Sequence, residues 1–298
     1  YIAAKQNIEE LKLLMNFTID RHFPEIKSSN NKALDLLNLL MEKQCNLVIN
    51  WMRVGFIHGV MNTDNMTVSG QTIDYGPCAF MDHYNAKTVF GSIDKFGRYS
   101  YSNQPKITKW NLARFAECLI PLIDEDEDSS IKKASEVIDN FEKIYEKKWL
   151  NMMRDKLGLF GEDKEDKKLI NDLLNWMELN KIDYTNTFCY LMNVKTPEIN
   201  CYKTNEFIHW INRWKKRLNL KENSSSKYLD LMRNSNPIVI PRNHKVEEAL
   251  NAANENNLEL LENLLIVLEK PYNNQDKIIN FKSPAPLGNK EYQTFCGT

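Results

Sequence analysis

Apolar residues recur at helical spacing along most of the chain, and one long segment near the start lacks that recurrence. In residues 2–23, Ile8, Leu11, Leu14 and Met15 share a helical face, and Pro24 ends the pattern. Residues 32–54 carry a wider stripe. Leu36, Leu40, Leu47 and Trp51 lie in one row, and Leu37, Met41, Val48 and Met52 in the next. So broad an apolar face predicts a buried central helix, with Gly55 placed to end it.

Between His58 and Asn103 the chain turns to Gly, Asn, Asp, Thr and Tyr. Two short alternating pieces, 66–68 and 71–73, flank Ser69-Gly70 and predict a small β-hairpin. A long polar segment between two well-patterned helices is where chemistry usually resides. Helical periodicity returns over 107–121. The acidic run from Asp124 to Asp128 reads as a surface linker or the N-terminal segment of a helix. Ser129 or Ser130 is placed to cap a helix over 131–157, with Glu136 within reach. Further helices are expected over 163–181, 183–193, 204–219, 227–234, 244–256 and 258–269. After Pro271 a Pro-, Asn- and Lys-rich tail should wrap the surface.

Composition narrows the function classes. The 298 residues are 42% hydrophobic, enough for a substantial core, and 39 basic against 40 acidic side chains leave a net charge of −1. That balance argues against a nucleic-acid protein relying on a basic surface. No apolar stretch is long enough to span a bilayer. Six cysteines (Cys45, Cys78, Cys118, Cys189, Cys201 and Cys296) include no C-x-x-C pair, which excludes a sequence-local zinc site and indicates a reducing, intracellular setting. His22, His83, His209 and His244 form no ligand-spaced pair. Trp110, Trp149, Trp176, Trp210 and Trp214 read as packing residues.

The polar segment holds one constellation. His58-Gly59-Val60 leads to Asp64-Asn65, seven residues after the histidine, and Asp74-Tyr75-Gly76 follows after the hairpin-sized gap. Kinase-like phosphotransferases use such an H-G-D-x-x-x-x-N loop followed by a D-aromatic-G turn. One loop aims an amide oxygen at a metal ion while the hairpin returns a carboxylate to it. Hard oxygen donors suit Mg²⁺ or Mn²⁺, which in turn hold nucleotide phosphates. Asn65 and Asp74 are therefore the expected metal and nucleotide ligands, and Gly76 would allow a sharp turn after the aspartate. The position of the usual base is Val60, which cannot accept a proton. Asp64 is the candidate replacement, in a role typically worth about 10²–10⁴-fold. The competing reading makes Asp64, Asn65 and Asp74 turn caps.

The run from Val54 to Met66 resembles the signature of the selenoprotein O family. So do Thr72-Ile73-Asp74-Tyr75-Gly76-Pro77, Gly97-Arg98-Tyr99-Ser100-Tyr101-Ser102-Asn103-Gln104-Pro105 and Trp110-Asn111-Leu112-Ala113-Arg114. Lys156-Leu157-Gly158, Asp183-Tyr184-Thr185, Asn236-Pro237 and Arg242-Asn243 follow in the family order, and Cys296 stands third from the end. The resemblance implies a mainly α fold: a protein-kinase-like C-lobe over 1–125 with its β-hairpin at the metal site, a helical extension over 126–270, and a tail over 271–298. It implies a pseudokinase that transfers AMP from ATP, bound in inverted orientation, to Ser, Thr or Tyr hydroxyls of proteins. Asn65 and Asp74 would hold Mg²⁺ or Mn²⁺, and Asp64 would be the base. Inverted ATP also gives a reason for Val60, because the reacting phosphorus has moved.

Two departures follow. The family's N-terminal lobe supplies a glycine-rich loop, an ion-paired Lys and Glu, and phosphate-contacting arginines. Nothing in these 298 residues resembles it, so this stretch alone is expected to bind ATP weakly, with the missing lobe as a partner. Some members also form a disulfide between the tail Cys and one in the activation segment. The usual partner position falls near Phe90, which leaves Cys78 as the nearest substitute or as an inert buried thiol, while Cys296 reads as redox-active. Arg98 is expected to brace the activation segment. Family members are mitochondrial in eukaryotes and cytoplasmic in bacteria. The competing functions are a degenerate pseudokinase acting as nucleotide sensor or scaffold, and a small-molecule kinase suggested by His58-Gly59.

Overall fold

The computed structural model describes residues 7–197, 200–218, 225–274, 276–286 and 292–295. The fold is mostly helical, as expected. The central element is helix α2 (Lys32–Val54), preceded by α1 (Ile8–His22). The Asn31 side chain accepts the Leu34 N–H at its start, and Gly55 ends it in the left-handed region (φ 75°). Both expected apolar rows are buried except Leu47, which is half-buried. Helices α3 (Gln104–Ile123), α4 (Glu127–Asp139) and α5 (Phe141–Lys156) pack around α2. Then come α6 (Asp166–Leu179), α7 (Tyr184–Leu191), α8 (Asn205–Leu218), α9 (Ser225–Ser235), α10 (Asn243–Asn254) and α11 (Glu259–Leu268). One contiguous set of buried side chains runs from Ile19 to Ile278. Among the described residues no helix is long and apolar enough to cross a membrane.

Four local expectations change. The helix over 131–157 is two helices. Its N-cap is Asp126, whose carboxylate accepts the Ser129 N–H, so Glu127 and Asp128 fall in the first turn near the positive end of the helix dipole. It breaks at Asn140, whose amide bonds back to the Glu136 carbonyl, and the next helix starts with Phe141 turned into the core. Helix α3 starts earlier, at Gln104 with Pro105 in its first turn, and runs past Pro121.

The hairpin over 66–73 shrinks to one antiparallel bridge, Met66 to Thr72. The backbone groups beside that bridge are taken: the Asn65 N–H by the Asn62 carbonyl, and the Ile73 carbonyl by the His58 ring. The two-stranded antiparallel sheet lies just outside it, pairing β1 (Phe56–Ile57) with β2 (Ala79–Phe80). The chemistry segment is thus the long connection between two paired strands. Finally, Trp110 is 42% exposed rather than in the core, whereas Trp176, Trp210 and Trp214 are buried.

The described part of the tail sends Ile278, Lys282 and Thr294 into buried positions and meets one strong anchor. Arg242 and Asp183 are each about 1% exposed in their side chains and form a bidentate pair, at 2.6 and 3.1 Å. Arg242 also reaches Asp82 at 2.6 Å and the Lys282 carbonyl at 2.9 Å. One buried cation therefore joins the segment after β2, the start of α7 and the tail.

Candidate metal and nucleotide site

The residues singled out by spacing meet in space. Asn65 closes a short 3₁₀ turn (Thr63–Asn65). Its Nδ2 donates to Asp74 Oδ2 at 2.6 Å and to the Val60 carbonyl at 3.1 Å. With the amide nitrogen so engaged, Asn65 Oδ1 and Asp74 Oδ1 have no hydrogen-bond partner among the described residues. Asp74 is exposed and sits at φ 56°, the left-handed region that a non-glycine residue adopts only at a cost. That backbone twist turns its carboxylate towards Asn65. Asp64 is exposed on the same turn, with no hydrogen bond or ion pair among the described residues.

Several braces hold the two loops. His58 is fully buried against the rings of Trp51 and Phe56, and its Nε2 meets the Ile73 carbonyl at 2.8 Å. Burial pushes the imidazole below the usual histidine range, so at neutral pH the ring is uncharged and donates Nε2–H to Ile73, directly before Asp74. Gly59 at φ 88° brings its loop against Pro77, where a Cβ would stand 2.6 Å from the Pro77 carbonyl oxygen. Helix α3 supports the backbone from below. Gln104 accepts the His58 N–H and donates to the Phe56 carbonyl, both at 3.0 Å, and Asn111 donates to the Met61 carbonyl at 2.9 Å. Tyr99 donates to Asn62 Oδ1 at 2.7 Å.

Gln104, Asn111 and Tyr99 carry the loop; the family-like runs contain them, but they were given no role from the sequence. Their signal was present, since Gln104, Thr108 and Asn111 recur at i, i+4 and i+7 on the face of α3 that is buried. A polar row on a buried face has to be satisfying something.

The donor set is hard and sparse: one amide oxygen, one carboxylate, and no cluster of three His, Cys, Asp or Glu among the described residues. It fits Mg²⁺ or Mn²⁺ completed by phosphate oxygens and water, and it does not fit a zinc-type site built from protein alone. Arg98 is itself held, its guanidinium 4.9 Å from the Trp110 ring and its backbone N–H on Asp94.

Of the two cysteines named for redox chemistry, Cys296 lies outside the described residues. Cys78 is half-buried and donates to the Tyr75 carbonyl at 3.0 Å. Burial, with the Asp74 charge adding to it, pushes its thiol up to about 11. The tail comes close to it: Thr294 bridges to Gly91, and its hydroxyl donates to the Pro77 carbonyl at 2.7 Å.

Comparison with known proteins agrees with the sequence resemblance. The profile described as "Protein adenylyltransferase SelO" matches residues 1–269. The chain is 63% identical over its whole length to a protein named "Protein nucleotidyltransferase YdiU" from Pelagibacter ubique, covering 62% of that relative. It is 51% identical to one of the same name from Nitrosococcus oceani and 49% identical to one from Alkaliphilus metalliredigens, covering 61% of each. The chain thus spans about three-fifths of the length of these relatives.

Proposed function

Since the chain belongs to the protein adenylyltransferase SelO family, we propose that it is the metal-holding part of an enzyme that moves AMP from ATP to hydroxyl groups of proteins. The observation that carries this reading is the Asn65–Asp74 contact at 2.6 Å, with one oxygen of each side chain left without a partner among the described residues. In the reaction, the acceptor hydroxyl oxygen bonds to the α-phosphorus, the bond from that phosphorus to the bridging oxygen breaks, and pyrophosphate leaves. Asn65 Oδ1 and an Asp74 oxygen would hold Mg²⁺ or Mn²⁺. The ion would bind the phosphates and offset their growing charge. Asp64, exposed one residue before Asn65, would take the hydroxyl proton.

Val60 fits this arrangement. Its carbonyl is used to orient Asn65, and its side chain has no proton to move. His58 acts through structure, because its ring holds Ile73 and so sets the approach of Asp74. Residues supplied by the remaining two-fifths of the relatives' length would complete the nucleotide cradle. We also keep the Cys78–Cys296 disulfide as a proposal, supported by the Thr294–Pro77 contact beside it in sequence. Its test is a mass comparison of tryptic peptides with and without reductant; no linked peptide containing Cys296 removes it.

The reaction is tested by incubating the full-length protein with α-³²P-ATP or γ-³²P-ATP and Mg²⁺ or Mn²⁺. Label on protein from the α form alone is expected. Label from the γ form indicates a kinase, and label from neither indicates a non-catalytic nucleotide binder. Asp74→Ala should abolish transfer; retained activity removes the metal assignment.

A further inference from the structure

The loop leading into α3 has features that the transfer reading leaves unused. Residues 93–107 form an open groove of about 580 Å³ whose lining includes Ile93, Lys95, Phe96, Arg98 and Lys106. Phe96 is 99% exposed and Ile93 71%. Lys95, Arg98 and Lys106 have no carboxylate partner among the described residues. The one acidic residue in the lining, Asp94, is occupied within the loop, its two oxygens accepting the N–H groups of Arg98 and Tyr99 at 2.8 Å each. It shapes the loop, and against its single charge the three cations leave the lining with a net charge of +2. Arg98 is fixed over the exposed face of Trp110. A bare aromatic ring beside three like charges on a tightly turned loop contributes little to folding and is chemically suited to being covered.

The groove is also tied to the metal loop. Tyr99, between its cations and α3, donates to Asn62 at 2.7 Å, and the Asn62 carbonyl accepts the Asn65 N–H at 3.0 Å. A segment lying against Tyr99 in the groove is therefore two hydrogen bonds from Asn65, which directly follows Asp64 in the chain.

We propose that this groove docks an acidic segment of the acceptor protein, its carboxylates meeting Lys95, Arg98 and Lys106 and an apolar side chain covering Phe96, so that the acceptor hydroxyl is presented beside Asp64. The purpose of the docking rests on the AMP-transfer reading; the binding does not need ATP. A protein segment suits the surface better than a nucleic acid. Three cations on a chain of net charge −1 are few for phosphate-backbone binding.

The test is fluorescence anisotropy on the full-length protein at low ionic strength, without ATP. The probes are a labelled peptide of glutamates and phenylalanine with a serine, its lysine counterpart, and a uridine oligonucleotide. The acidic peptide should bind and the lysine peptide should not. Arg98→Glu and Lys106→Glu should each weaken binding about tenfold, because an attractive exposed pair becomes a repulsive one. Phe96→Ser should weaken it too, and Lys132→Glu, at an exposed position of α4, should leave it unchanged. Melting curves of all four variants should match the parent. The proposal is overturned if the acidic peptide fails to bind, if Arg98→Glu and Lys106→Glu have no effect, if Lys132→Glu has an equal effect, or if the oligonucleotide binds more tightly through the same residues. A protein that transfers AMP but ignores the peptide refutes the docking alone. One that binds the peptide through these residues but transfers nothing refutes the reaction and leaves the groove's ligand class standing.

Discussion

Asn65→Asp changes one NH₂ to an oxygen, and its consequences follow from two distances. The nitrogen now donates to Asp74 Oδ2 at 2.6 Å and to the Val60 carbonyl at 3.1 Å. The substitution removes both bonds, each worth about 1 kcal/mol net. It also sets a carboxylate oxygen where the nitrogen now stands 2.6 Å from Asp74 Oδ2, and the two exposed side chains would relax apart to about 4 Å. Like charges there repel by about 1 kcal/mol in water and about 4 kcal/mol at an effective permittivity of about 20. Asp74 is exposed, so the lower part of that range applies, about 1–2 kcal/mol. The sum is about 3–4 kcal/mol, or roughly 5 °C in Tm for a chain of this size. The metal reading adds a condition. A divalent cation between two carboxylates turns the repulsion into ligation, so Mn²⁺ should return at least half of the lost Tm while raising the parent far less. Scanning calorimetry in EDTA and across a Mn²⁺ titration measures both effects. Equal Tm values in EDTA would show that the hydrogen bonds do not carry the loop. Equal Mn²⁺ shifts in both proteins would show that the cation binds elsewhere.

Three further outcomes are expected. Gly59→Ala should lower Tm by about 5 °C, since its φ of 88° costs about 1–2 kcal/mol for any L side chain and the new Cβ meets the Pro77 carbonyl, which Thr294 holds in place; a shift under about 1 °C would mean that the two loops move apart freely. Arg242→Met should cost about 3–5 kcal/mol in urea unfolding by stranding Asp183 and Asp82, and adding Asp183→Asn should recover part of it; additive losses would contradict the buried network. Burial lowers the folded-state pKa of both His58 and His244, so the unfolded chain binds more protons as pH drops below about 6.5; stability should be complete above that value and fall below it, and His58→Gln should flatten the slope, whereas an unchanged slope from pH 7 to 5 would place the acid sensitivity elsewhere.

Much of the site was legible because it depends on separations along the chain. Seven residues from His58 to Asn65 and a turn-sized gap to Asp74 are distances that one loop and one return can close, and they do close, to 2.6 Å. The helix preceding them was legible from its two apolar rows. The hairpin was overdrawn because alternation says which residues suit a strand but not whether their backbone groups are free. Here the Ile73 carbonyl goes to His58 and the Asn65 N–H to Asn62. The helix over 131–157 was overextended for a related reason. Asn140 is compatible with a helical pattern, yet its amide can satisfy the Glu136 carbonyl and release the chain to turn.

What periodicity could not assign was the set of long-range braces, and these explain why the Asn65–Asp74 pair holds its geometry. Asp74 accepts an unfavourable φ of 56° because the residue before it is fixed by a buried ring, and that ring's own backbone is fixed by Gln104, 46 residues later in sequence. Asn65 is oriented by the Val60 carbonyl, and the loop between them hangs from Asn111 through Met61. A substitution on α3 should therefore be felt at the proposed metal site without touching it. Gln104→Leu keeps the bulk of the side chain and removes both bonds, leaving the His58 N–H and the Phe56 carbonyl buried without partners. The cost should be about 2–4 kcal/mol. If the brace sets the site, metal-dependent stabilisation should weaken in that variant more than in a Leu112→Ala variant of similar Tm, because Leu112 packs on the same helix but bonds to neither loop. Equal losses of the metal effect would mean that the pair is positioned by general packing and that the polar row on α3 is structural only.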